Sequence, residues 1–206
     1  IAGSDWSSDV CSSDLSKVAE KVADSLYRKD YISEEEKEIY SYGYEILIDN
    51  IGKTFLLLMV GAIIHQFVAT LVFVVVFTTL RSYCGGYHAS KTWQCNLLTV
   101  ILWGIVIVGT YTEAIIKQCE ALTIAIAVVS ELVIYQCAPV EHQNKKLTNE
   151  KKERNRRCAL GLGMLYGILI LLLTFSLTKI AIALALTVLE VVMLMIIPGE
   201  GRSNEP

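Results

Sequence analysis

Proline is scarce in this chain, with three in 206 residues, and that leaves little room for Pro-rich linkers between domains. Charge is scarce too. Only 19% of residues are charged while 53% are hydrophobic, a balance too apolar for an ordinary soluble domain and suited to a membrane. No apolar signal-peptide core stands near the start, so that end is expected to stay inside the cell. The six cysteines are scattered. Cys11 falls in an aberrant tail, and the others lie in apolar runs or at their edges, where reduced thiols are expected. Cys119, near an outward turn, is the one facing an oxidising side.

Residues 1–15 form a Ser/Asp repeat with no helical apolar face, and they are read as a non-native tail outside the fold. Their acids Asp5, Asp9 and Asp14 account for the whole formal charge of −3. The remainder is neutral, and no nucleic-acid partner is expected.

From Ser16 to Tyr27, Val18, Val22 and Leu26 recur every four residues opposite Lys17, Glu20, Lys21 and Asp24. This predicts an amphipathic helix, lying either on the membrane surface or on the protein's own cytoplasmic face. Ser33 and Glu36 have the spacing of a capping box, so a second helix is expected from about Glu34. Its Tyr40, Tyr42 and Tyr44 suit a membrane interface or ordinary packing. Phe55 to Leu80 is apolar except for His65, Gln66 and threonines. It is either one long span or a tight hairpin turning at His65-Gln66 with a first arm from about Ile46, giving five or six spans in all. The hairpin is preferred, and His65 is then a turn residue.

Further spans are expected at Leu97 to Tyr111, Ala121 to Val140, Cys158 to Leu177 and Ile180 to Ile197, the last two joined at Thr178-Lys179. Between the second and third of these, Glu141 to Arg157 carries seven Lys or Arg against three glutamates. By the positive-inside rule this loop is cytoplasmic. Ala159, Gly163 and Gly167 form a small-residue stripe for close helix approach, within the monomer in preference to a dimer seam. The fold expected is all-α: a polytopic integral membrane bundle of about six transmembrane helices with an N-terminal amphipathic helix, one domain over residues 16–206.

The stretch Arg81 to Cys95 is a polar break in this apolar pattern. It holds His88 and Cys95 seven residues apart, preceded by Gly85-Gly86. A thiol becomes a strong nucleophile when a base removes its proton, and His88 is a base within range of Cys95 if the chain bends. On a straight helix the two would lie about 10 Å apart, so the segment must turn or break between them. Two spans separate this stretch from the basic loop, and it faces the cytoplasm as well.

Leu80-Arg81, Gly85-Gly86, His88 and Cys95 resemble the motif of the AgrB family, membrane cysteine endopeptidases that process the precursor of an autoinducing peptide. The resemblance covers this motif closely and the hydrophobic layout from about Ser16 onward. It implies His88 and Cys95 as the catalytic pair, with Arg81, Gly85 and Gly86 as supporting or substrate-binding residues. It also implies an AgrD-type propeptide as substrate, a thiolactone or lactone product, no cofactor and a possible homodimer. Arg81 either anchors a helix end against headgroups or clamps a substrate carboxylate, the second being favoured.

Cys84, His88 and Cys95 lack the paired spacing of a structural zinc site, and no metal is expected. Glu131 and Glu190 fall in predicted spans, where each either bonds a neighbouring helix, the favoured reading, or serves the site. Ser82, Ser90 and Gln94 are local candidates for orienting the imidazole. The competing function is a non-catalytic peptide transporter or export scaffold.

Overall fold

The computed structural model describes residues 12–29, 31–86, 92–111, 120–140 and 148–197. Among them are seven helices and no strand: α1 (Ser12–Arg28), α2 (Glu34–Ile63), α3 (Phe67–Cys84), α4 (Thr92–Tyr111), α5 (Glu120–Cys137), α6 (Asn149–Thr174) and α7 (Thr178–Ile196). The helices α2 to α7 are each long and apolar enough to cross a membrane, which is the all-α polytopic bundle expected from the sequence. Long apolar runs become helices there because lipid offers no partners for backbone groups.

Contacts divide the chain into two units, and the division falls inside α2, between Leu56 and Leu57. In the first unit, α1 starts four residues earlier than predicted. Its buried positions are Ala19 and Ala23, fully covered, while Val18 is half exposed. The contact face is therefore the small-residue one, one position round from the Val18 stripe. An Asp24–Lys37 ion pair at 2.5 Å ties α1 to α2. The capping box is present as read: Ser33 N–H donates to Glu36 Oε2 at 2.9 Å, and Glu36 N–H donates to Ser33 Oγ at 3.3 Å. From that start α2 runs unbroken for 30 residues, joining the predicted interfacial helix and first arm into one. No proline interrupts it, and an interior glycine such as Gly43 or Gly52 costs only about 1 kcal/mol.

The second unit contains the rest of the bundle. The hairpin expected at His65-Gln66 is there, with His65 at φ 58°, and six apolar helices of spanning length stand among the described residues. Gly61 makes the tight turn possible, since a Cβ there would collide with the Thr70 hydroxyl. Thr70 in turn donates to Gln66 O at 2.9 Å and accepts from Trp103 Nε1 at 3.0 Å, fastening α4 to this end. Tyr111 OH adds a bond to Ile64 O at 3.1 Å.

The central element is α7, which packs against α3, α4, α5 and α6. In its apolar window 67% of residues are buried, against 11% in α2. Its alanines Ala181, Ala183 and Ala185 allow close approach on all sides. On α3, the buried positions Phe73, Val76, Phe77, Leu80 and Cys84 repeat every three or four residues, one face of a helix turned to the core. Gly109 of α4 rests against Leu186 of α7. Of the α6 stripe, Ala159 and Gly163 are buried within the protein, as expected for packing inside the monomer. The turn between α6 and α7 falls at Phe175–Leu177, two to three residues before the predicted Thr178-Lys179. Thr178 is already the first helical residue of α7.

Candidate active site

The predicted site residues fall where α3 ends and α4 begins. Arg81 is in the last turn of α3 and Cys95 in the first turn of α4. His88 belongs to residues 87–91, which lie outside the described residues. Ser90 lies there too.

Two backbone contacts hold this end. The Cys84 carbonyl accepts from Val140 N–H at 2.9 Å, in a parallel bridge between Gly85 and Val140. Gly85 has φ 73°, ψ −146°, a region open essentially to glycine. A Cβ there would overlap the Val140 carbonyl oxygen. Gly86, at φ 114°, sits on the last turn of α7, where a Cβ would stand 2.8 Å from the Leu194 carbonyl oxygen and 3.3 Å from Met195 Cα. That carbonyl has no helical donor of its own, because position 198 is proline and lacks an N–H. The paired glycines therefore strap the end of α3 to the ends of α5 and α7 by bare backbone.

The Arg81 guanidinium stacks over the Phe77 ring, 5.8 Å from its centroid. It also lies within electrostatic reach of Cys95. Arg81 and Cys95, fourteen residues apart in the chain, thus stand at the same end of the bundle. Cys95 is a free, half-buried thiol, and its carbonyl accepts from Thr99 Oγ1 at 2.9 Å. Two residues before Arg81, Thr79 Oγ1 and Tyr166 OH share a 2.7 Å bond that ties α3 to α6.

Cys84 is fully buried at the α3 end and lies within electrostatic reach of the Glu131 carboxyl. Glu131 occupies the space left by Gly163, where a Cβ would be 2.5 Å from Oε2. Glu190 departs from expectation: it is buried, but neither carboxyl oxygen has a hydrogen-bond partner among the described residues. Sequence reasoning missed Val140 and Leu194. The signal available for Leu194 was Pro198, which removes the donor for the carbonyl four residues earlier. Among the described residues, no group of three His, Cys, Asp or Glu side chains is placed to hold a metal ion.

A thiol and a guanidinium at one end of a six-helix apolar bundle, held by a glycine strap, define a multi-pass helical membrane protein with a candidate nucleophile at its edge. Residues 19–197 match the family model AgrB, Accessory gene regulator B, and the chain belongs to that family. It is similar to two AgrB-like proteins of Clostridium perfringens. One is 28% identical over 144 residues, 68% of this chain and 65% of that protein. The other is 28% identical over 148 residues, 69% and 67%. An AgrB-like protein of Listeria monocytogenes is 23% identical over 157 residues, 74% of this chain and 76% of the relative. The matched region spans about two thirds of the Clostridium relatives. No solved structure matches the chain.

Proposed function

We propose that the chain is a membrane cysteine endopeptidase that cleaves an AgrD-type propeptide and promotes its cyclisation. Family membership supports a role in the agr quorum-sensing system. What supports the chemical reading is the placing of Arg81 in the last turn of α3 and Cys95 in the first turn of α4, within electrostatic reach of each other beside the glycine strap.

In this mechanism His88 takes the proton from the Cys95 thiol, and the thiolate attacks a peptide carbonyl of the propeptide. The Arg81 guanidinium faces the place where negative charge develops, or holds a substrate carboxylate nearby. The tetrahedral adduct collapses to a thioester on Cys95 as the C–N bond breaks, and the imidazolium returns its proton to the departing amine. A cysteine or serine of the retained peptide then attacks the thioester, closing a thiolactone or lactone and releasing the Cys95 sulfur. No ATP is needed, because the thioester retains part of the free energy of the cleaved bond.

The motif, both termini and the basic segment ending at Arg157 face the cytoplasm in this reading. Lys151, Lys152, Arg154, Arg156 and Arg157 stand exposed on the first turns of α6 and attract an acidic part of the propeptide. A homodimer is consistent with the family reading.

Coexpression with the propeptide encoded beside the gene tests this, comparing the unmodified chain with Cys95→Ala, Cys95→Ser and His88→Ala at matched membrane levels. Cleavage followed by mass spectrometry is expected to be lost in both alanine variants. Undiminished cleavage by Cys95→Ala overturns the proposal and leaves the transporter reading.

A further inference from the structure

Among the described residues, several buried hydroxyls of the bundle bond within their own helix, while the Ser130 hydroxyl does not. Thr70, Thr110, Thr174 and Thr187 are each buried, and each donates to a backbone carbonyl one turn back, at 2.9, 2.7, 2.6 and 2.7 Å. Glu190 departs from that pattern. It is 7% exposed, on the most enclosed of the described membrane-length helices, and both carboxyl oxygens are buried with no hydrogen-bond partner among the described residues. A polar group left unpaired in an apolar interior is costly, and one retained at such a position marks a place where something else supplies the bonds.

Its position indicates what that is. Glu190 lies four residues before Leu194, hence on the same face of α7 and about 6 Å deeper along the axis. Leu194 is the residue whose carbonyl meets Gly86. Glu190 therefore lies one helical turn below the turn of α7 that meets Gly86. A peptide segment drawn under that strap leaves water, and its own amide N–H and C=O groups must find partners there.

We infer that Glu190 is a substrate-positioning residue, whose carboxyl hydrogen-bonds the backbone of a propeptide segment lodged against α7 below the Gly85-Gly86 strap. The inference rests on the processing reading above for the identity of the peptide. It assigns Glu190 to binding and leaves the reacting atoms to Cys95.

Glutamine keeps a carbonyl acceptor and adds N–H donors, whereas leucine keeps only bulk. With the AgrD-type propeptide as probe, Glu190→Leu is expected to raise KM about tenfold or more with kcat little changed, as for one lost hydrogen bond to a buried partner. Glu190→Gln is expected to stay within about threefold of the unmodified protein on the same grounds. An unchanged KM in Glu190→Leu, or a loss confined to kcat, overturns the inference.

A second measurement avoids both turnover and any folding defect of the leucine variant. Cys95→Ala protein, with Glu190 intact, is treated with a hydrophobic carbodiimide, and the Glu190 adduct is followed by mass spectrometry. Slower labelling in the presence of the propeptide supports the inference, and an unchanged labelling rate overturns it. If the unmodified protein fails to cleave the propeptide, the processing reading fails instead, while the protection experiment still decides whether the peptide reaches Glu190.

Discussion

The two ends of the helical bundle are closed by different means. At the end opposite the motif, side chains do the fastening: Trp103 donates to Thr70, and Tyr111 donates to Ile64. At the motif end, backbone meets backbone through Gly85 on Val140 and Gly86 on Leu194. Side-chain fastenings can rearrange when disturbed. A backbone strap cannot. The contrast indicates that the motif end trades adaptability for a fixed backbone geometry around the candidate site.

The sharpest break in that contrast is expected from Gly85→Ala and Gly86→Ala. Each puts a Cβ onto a backbone carbonyl at a positive φ. Backbone strain and overpacking together should cost about 3 kcal/mol or more. Melting in detergent should fall markedly, and propeptide cleavage should be lost with it. An unchanged melting temperature for both variants would show that the strap does not hold this end.

Next in size is Gly61→Ala at the opposite end. Its Cβ meets only the Thr70 side chain, which can rotate at the expense of its bonds to Gln66 and Trp103. A loss of about 1–3 kcal/mol is expected from the orphaned groups, with cleavage retained in the folded fraction. Equal damage to cleavage from Gly61→Ala and Gly86→Ala would erase the distinction between the ends.

The smallest effect is expected from Trp103→Phe, which removes one donor while Thr70 keeps its bond to Gln66 O. The change should cost about 1 kcal/mol, read as a small drop in melting temperature with KM for the propeptide unaltered.

Much of this architecture could be read in advance because it is encoded locally. Ser33 and Glu36 marked where α2 starts, His65-Gln66 marked the turn, and the apolar runs marked the spans, although α6 begins at Asn149, nine residues before the predicted Cys158 and inside the stretch read as a loop. Local periodicity failed where small residues decided the packing: α1 buries Ala19 and Ala23 although Val18 promised more apolar area. At the site, sequence spacing singled out Arg81, the glycines and Cys95. It gave no sign of Val140 as a partner of Gly85, because that contact joins segments more than fifty residues apart. Glu190 was legible as an unusual residue, but its lack of a partner depends on how four other helices surround α7.

The parallel pairing of Gly85 with Val140 bears on how specificity is inherited. Gly85 and Val140, which are bridged to each other, stand just before the segment carrying His88 and just before the basic segment in the sequence. A chimera that imports the motif segment from a relative but keeps the native Val140 side mates two halves that never evolved together. Exchanging substrate preference between family members should therefore require moving both segments as a pair.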